Sequence, residues 1–160
     1  GKVGQYLERA DNTSRILDVK YHILLPSVEL VGTTIDIIQW ANLLKSVSGY
    51  NIYTREYGKI DPIHIAEFLL LSRQFPRAVL FSVQFAGNSL LEISNGEKGY
   101  FRNEAEKHLG KVRSELEYAS MEDIFAQGLH EYLDNFQKKI IEVSNAFQKT
   151  YFRTANNASE

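Results

Sequence analysis

The chain has 160 residues, of which 44% are hydrophobic and 24% are charged, and its formal net charge is -2. This composition is typical of a globular domain with its own core, and it lacks the basic surplus of a general nucleic-acid-binding surface, so we expect no nucleic-acid partner. The sequence contains no cysteine and no apolar run near the about 20 residues of a membrane span, which excludes disulfides and thiolate metal sites and leads us to expect a cytoplasmic protein without a membrane partner.

Apolar residues recur at helical spacing through almost the whole sequence, and we find no strand-like alternation bounded by turns. The first helical segment is closed by Pro26. Thr33 or Thr34 is expected to cap the second helix. A short aromatic helix, YNIYTREY, follows and is predicted to end at Gly58.

The later part of the sequence carries similar start signals. Asp61 followed by Pro62 predicts a helix N-terminus, and Pro76 is expected to open the next helix. An amphipathic helix then covers NEAEKHLGKVRSELEYA. Ser120 followed by Asp123 predicts the start of a long last helix.

These elements predict an all-α fold, an antiparallel helical bundle of six or seven helices. We expect a single helical domain at residues 1–152 and a frayed tail at residues 153–160, where apolar residues are scarce. The chain begins with Gly, and its helical pattern is already running at Val3. We therefore expect it to be a fragment whose natural N-terminal part is absent.

The first predicted helix carries a polar stripe. Its members are Glu8, Asp11, Asn12, Arg15, Asp18 and His22. With about 100° per residue, all six fall within roughly one third of the helix circumference. Ile16, Val19 and Ile23 border or interrupt the stripe, which predicts a largely buried helix whose charged side chains pair, Glu8 or Asp11 with Arg15. A solvated charged face, a buried network that fixes helix register, and a ligand-binding or catalytic site all remain open.

The same segment resembles a known family. GQYLERADNTSRILDVKYHILLPSVE is similar to the signature of the bacterial alpha-E domain family, and IQWANLLKSVSGYNIYTREY, IAEFLLLSRQFPRAVLFSV and LEYASMEDIFAQGLHEYLDNFQ resemble its later blocks in the same order. The motif residues that the resemblance carries over are Glu8, Arg9, Asp11, Asn12, Arg15 and Asp18. Gln5 stands where members often carry Arg, which removes one cation from the edge of the motif.

The resemblance implies specific partners for this chain, whereas it implies no specific reaction. Family members carry two related motifs, and this chain resembles the second half, so the missing N-terminal half is one expected partner. Members are typically encoded beside, or fused to, an ATP-grasp-type ligase and a transglutaminase-like protein, which implies a role in amide or peptide metabolism. A homo-oligomer is also compatible with the sequence.

Two functional hypotheses follow. The first is an accessory or binding module that works with the ligase. The alternative is an enzyme of amide-bond chemistry in which Glu8 or Asp11 is the general acid or base and Arg15 orients a carboxylate. We prefer the module because the sequence has no recognised nucleophile motif, metal-ligand set or phosphate-binding loop, and we expect no cofactor.

Several other polar residues are secondary candidates for ligand binding. Arg73 and Arg77 flank the bend SRQFPR, where a carboxylate or phosphate would also meet helix N-terminal amides. Glu115, Tyr118 and Glu122 share one helix face and are candidates to meet Arg15 across the bundle.

His130 and Asp134 stand four residues apart on the last predicted helix, where one helix face could offer both to a metal. A partly exposed polar face is the favoured interpretation, because the second histidine of a zinc-protease helix is missing. We therefore expect no metal.

Overall fold

The structure is a computed structural model that describes residues 1–24, 33–94 and 101–157, with side chains described except at 22–24, 94 and 153–157. These ranges contain eight helices and no strand. They are α1 (Lys2–Leu24), α2 (Thr34–Ser46), α3 (Tyr50–Tyr57), α4 (Pro62–Leu71), α5 (Val79–Ser94), α6 (Glu104–Glu117), α7 (Met121–Gln127) and α8 (Leu129–Asn157). The all-α class is thus confirmed.

The helix α1 lies at the centre of the packing, against α5, α8 and α4. Its buried side consists of small and apolar residues spaced alternately by four and three, which is the spacing of one helix face. These residues are Val3, Leu7, Ala10, Ser14 and Leu17. The helix α6 closes the far side by packing on α5 and α8, while α2, α3 and α4 contact one another.

Local start signals place most helices as the sequence predicts. Thr33 caps α2, and its side chain accepts a hydrogen bond from the Asp36 amide at 3.3 Å. Asp61 caps α4 and accepts from the Ile63 amide at 2.8 Å. Ser120 caps α7. Each cap satisfies an amide that the helix itself leaves unpaired.

The predicted start at Pro76 is wrong, because α5 begins at Val79. Residues 75–78 form a tight turn in which the Ala78 amide donates to the Phe75 carbonyl at 3.0 Å. The first helical bond beyond the turn runs from the Ser82 amide to the Ala78 carbonyl. The proline therefore shapes the turn that precedes the helix, and the helix follows three residues later.

The predicted last helix is divided in two at Gly128, which gives one helix more than the upper prediction of seven. Gly128 has φ 103° and ψ 123°, a backbone conformation that disfavours any side chain. Its amide ends α7 by donating to the Ile124 carbonyl at 3.0 Å, and its carbonyl begins α8 by accepting from the Tyr132 amide at 2.9 Å. Gly128 thus takes part in the backbone hydrogen bonds of both α7 and α8, while its own conformation interrupts the helix.

One predicted helix end differs, and another cannot be compared. The helix α8 continues to Asn157, so its backbone includes residues that we expected in a frayed tail. The predicted end of the first helix at Pro26 lies outside the described residues, within which α1 reaches Leu24. Among the helices of the described ranges, none is long and apolar enough to cross a bilayer.

Candidate functional site

The side of α1 that faces away from the bundle consists of exposed residues. We call it the outer face of α1, and it comprises Lys2, Gln5, Glu8, Arg9, Asn12, Arg15, Ile16, Val19 and Lys20. The guanidinium carbon of Arg9 lies 5.6 Å from the centroid of the Tyr6 ring, so this cation leans toward the α5 side of the helix. Most of the predicted motif residues therefore share one water-facing surface.

The predicted burial of the polar stripe is wrong for Glu8, Asn12 and Arg15. All three are exposed, and the Arg15 side chain is 53% accessible. The prediction assumed that the apolar residues bordering the stripe are buried. Ile16 and Val19 are instead 36% and 55% exposed, so α1 has one buried face and one open face. The His22 side chain lies outside the described residues.

Asp11 and Asp18 behave differently, because both are half-buried at the edge between the outer face and the bundle. Arg15 Nε donates to Asp11 Oδ2 at 2.9 Å, which confirms the predicted pairing, and this hydrogen bond raises the pKa of Arg15. The second oxygen, Asp11 Oδ1, is buried and has no hydrogen-bond partner in the described part of the chain. Asp11 therefore retains one unused acceptor at the rim of the outer face.

Asp18 links α1 to α8. Its Oδ1 lies 2.8 Å from His130 Nδ1. The hydrogen bond to Asp18 and the charge of that carboxylate raise the pKa of His130, since both favour the imidazolium. Asp134 pairs separately with Lys138 at 3.0 Å. The two residues considered as metal ligands thus have different partners, and the described ranges contain no group of three or more His, Asp or Glu placed to hold a metal.

We expect His130 to titrate above its ordinary pKa of 6.5 in the folded protein. The contribution of the Asp18 pair to stability is then present below about pH 6.5 and is lost as the pH rises through the folded-state pKa. Histidine NMR titration of wild type and Asp18→Asn would measure this, with the pKa of His130 falling back toward 6.5 in the variant. As a control, Asp134→Asn should move that pKa less, because Asp134 acts without a hydrogen bond. An unchanged pKa in Asp18→Asn would contradict the pairing.

The acidic and aromatic candidates of α6 and α7 do not meet Arg15. Glu115 Oε2 instead accepts from Lys139 Nζ of α8 at 2.5 Å. Tyr118 is 86% exposed, and Glu122 is exposed as well. The expectation failed because α6 packs on α5 and α8, away from the outer face of α1.

The two arginines of the bend have separate surroundings. Arg73 Nη2 donates weakly to the Glu117 carbonyl at the end of α6, at 3.4 Å. Arg77 is exposed, and its backbone carbonyl accepts from Thr13 Oγ1 of α1 at 2.7 Å. Because α5 begins only at Val79, the helix amides that were expected to assist them start further along the chain. These residues form no common site.

The sequence reasoning missed the polar residues that fix α1 in the bundle. Thr13 and Ser14 are 3% and 0% exposed, although they stand between motif residues. Ser14 Oγ donates to the Asp11 carbonyl at 2.7 Å and accepts from Gln137 Nε2 of α8 at 3.3 Å. The angular position of Thr13, opposite the stripe, was an available signal, whereas Ser14 borders the stripe and its position gave none.

A model of the family Alpha-E, described as a predicted alpha-helical domain with a conserved ER motif, matches residues 1–152. No curated protein and no solved structure matches the chain significantly. Glu8 and Arg9 form the only Glu-Arg dipeptide in the sequence, and both lie on the outer face of α1. The match spans every helix except the last residues of α8. The chain therefore belongs to the Alpha-E family of helical domains.

Proposed function

We propose that this domain is an accessory module that binds a protein partner through the outer face of α1, and that the partner is the cytoplasmic ATP-grasp-type ligase that the family resemblance implies. The observation that supports the proposal most directly is the position of Glu8 and Arg9. Both are exposed on the helix surface. Exposed charges of this kind add little to folding stability, so a family motif at such a position is better explained by recognition than by packing.

The chemistry of the outer face also favours a protein partner. Ile16 and Val19 supply apolar area in the middle of a charged surface, the usual composition of an interface with a polar rim. Among the exposed charged residues of α1, one is acidic, Glu8, and four are basic, namely Lys2, Arg9, Arg15 and Lys20. Asp11 neutralises Arg15, but Lys2, Arg9 and Lys20 still outnumber Glu8, so the complementary partner surface is acidic with an apolar part that faces Ile16 and Val19.

Asp11 adds a specific contact to this surface. Its Oδ2 is held by Arg15, whereas its buried Oδ1 has no donor in the described part of the chain. A buried acceptor without a partner costs free energy, so a donor on the bound protein would stabilise the complex once the Asp11 side chain turns outward and exposes this oxygen.

The enzyme alternative has less support. Glu8 faces bulk water, and Arg15 is already paired with Asp11. A general acid or base at this place would lack the water-excluding walls that strengthen such catalysis. Amide-bond chemistry is therefore assigned to the ligase in this proposal, and the Alpha-E domain contributes binding.

A capture experiment tests the proposal. The natural full-length protein would be titrated with its neighbouring ATP-grasp-type ligase, as wild type, Glu8→Gln and Arg15→Ala. We expect each variant to weaken binding about tenfold or more, as for central interface charges. Arg55→Ala and Glu56→Gln, two adjacent exposed charges on α3, are matched controls and should leave binding unchanged.

Other results would contradict the proposal in distinct ways. Undiminished binding with lost product formation would support the enzyme alternative. If an N-terminal half of the kind that the family resemblance implies covers the outer face instead, the same variants would lower the melting temperature of the protein containing both halves while ligase capture persists. No effect of either variant on binding, product or melting temperature would show that the stripe has no recognition role.

A further inference from the structure

A cavity of about 430 Å³ lies between α5 and α6, on the side of α5 away from the motif. It lies beside two glycines, Gly87 on α5 and Gly110 on α6. A methyl group placed on Gly110 would meet no heavy atom within 4 Å, and one on Gly87 would first meet the Arg113 side chain at 3.1 Å. The missing side chains thus open the space between the helices. Its volume lies in the range of small-molecule sites.

The walls of this cavity are mostly apolar. Leu90 and Leu91 come from α5, Leu109 comes from α6, and Phe101 precedes α6. Leu90 and Leu109 are almost fully buried, whereas Phe101 is 59% exposed and stands at the mouth. An apolar body of a ligand would therefore be removed from water against the leucines, which is the main source of affinity in such sites.

One end of the cavity carries a buried acid. Glu106 is 6% exposed, and its Oε2 accepts from the Arg102 amide at 2.7 Å. Its other oxygen, Oε1, is buried and has no hydrogen-bond partner in the described residues. Burial of an unmatched carboxylate oxygen is costly, so rotation of the Glu106 carboxylate toward the cavity and a donor from a bound molecule would stabilise this position.

Of the other charged residues described in the lining, three are basic, namely Lys107, Lys111 and Arg113, and one, Glu117, is acidic. Arg113 Nε donates to Glu117 Oε1 at 2.8 Å, and Arg113 Nη1 donates to Asn88 Oδ1 at 2.9 Å. The charges of Arg113 and Glu117 therefore neutralise each other. The ammonium of Lys107 lies 5.6 Å from the centroid of the Phe101 ring, and Lys111 forms no ion pair with any described residue. Two cations one helical turn apart are thus available to an anionic group at the mouth.

We propose that this cavity binds a small zwitterion with an apolar body, which means an apolar amino acid or a short apolar peptide. The ammonium group donates to Glu106, the carboxylate is held by Lys107 and Lys111, and the apolar side chains pack on the leucines. This site is separate from the outer face of α1 and does not depend on the proposed docking of the ligase.

Calorimetric titration with three related probes tests the assignment. Leucyl-leucine carries both charges, N-acetyl-leucyl-leucine lacks the ammonium, and leucyl-leucinamide lacks the carboxylate. We expect saturable one-to-one binding of leucyl-leucine, and binding about tenfold or more weaker for each of the other two, since each loses a charged hydrogen bond. Equal binding of all three, or no saturable binding of leucyl-leucine, would overturn the proposal.

Two variants locate the binding. Gly110→Leu fills the cavity and should abolish binding of leucyl-leucine, while Gly4→Leu, at an equally open helical position on α1, is the matched control and should leave it intact. Glu106→Gln keeps an amide in place of the carboxylate and should weaken leucyl-leucine more than its N-acetyl form. Circular dichroism checks that each variant is folded. Unchanged affinity in folded Gly110→Leu, or in folded Glu106→Gln if the former is unfolded, would place the probe elsewhere.

Discussion

Trp40→Ala is expected to lower the free energy of unfolding by about 3–5 kcal/mol. The indole is completely buried, and its Nε1 donates to the buried Asp36 Oδ1 at 3.1 Å. The Tyr21 ring packs edge-on at 5.8 Å between centroids, which places Trp40 at the junction of α1 and α2. The substitution removes a large apolar volume and a donor to a buried carboxylate at once. Urea unfolding followed by circular dichroism measures the loss.

Trp40→Phe separates these two contributions. It keeps much of the apolar volume but removes the N–H group, so we expect a smaller loss of about 1–3 kcal/mol. A loss below about 1 kcal/mol in Trp40→Ala would mean that the α1–α2 junction contributes little to the cooperative unit, which would contradict the central position of this residue.

Phe68→Ala is the second substitution with a large expected effect, again about 3–5 kcal/mol. Phe68 is fully buried and stacks on Phe75 at 4.7 Å between centroids, while Tyr53 lies edge-on at 5.5 Å. Close packing at this point is visible at Gly49, where a methyl group would lie 3.0 Å from both phenylalanine rings. A cavity here cannot be filled by its rigid neighbours, and the full cost should be observed in urea unfolding.

An exposed phenylalanine provides the control for this measurement. Phe152 on α8 is 63% exposed, so Phe152→Ala should change the free energy of unfolding by no more than about 0.5 kcal/mol. Comparable losses of unfolding free energy in Phe68→Ala and Phe152→Ala would contradict the packing of Phe68 against Tyr53 and Phe75.

The sequence predicts helix starts well wherever a start depends on neighbouring residues. Thr33, Asp61 and Ser120 all cap as expected, because a cap needs only its own side chain and the next few amides. The break at Gly128 was missed for the opposite reason. A glycine inside a helical pattern is compatible with either a continuous helix or a break. In the structure the helix breaks at Gly128, and α7 packs against α8.

The candidate site was predicted only in part. The Asp11–Arg15 pair is local and was expected, whereas the exposure of Glu8, Asn12 and Arg15 was not. Hydrophobicity alone gives no distinction between a buried isoleucine and an exposed one, so Ile16 was misassigned to the interior. The α5–α6 cavity could not be predicted from the sequence, since it arises from two glycines on different helices that only the tertiary structure brings together.

The hydrogen bonds of Thr13 and Ser14 have a mechanical consequence for the outer face of α1. Interdigitated apolar side chains already oppose the sliding of one helix along another, and directional hydrogen bonds add to this constraint. A displacement of one residue, about 1.5 Å along the axis, would break the 2.7 Å bond from Thr13 to the Arg77 carbonyl and the contact between Ser14 and Gln137. Two polar anchors therefore lock the axial register of α1. The positions of Glu8, Arg9 and their neighbours along the helix axis are therefore fixed relative to the rest of the bundle.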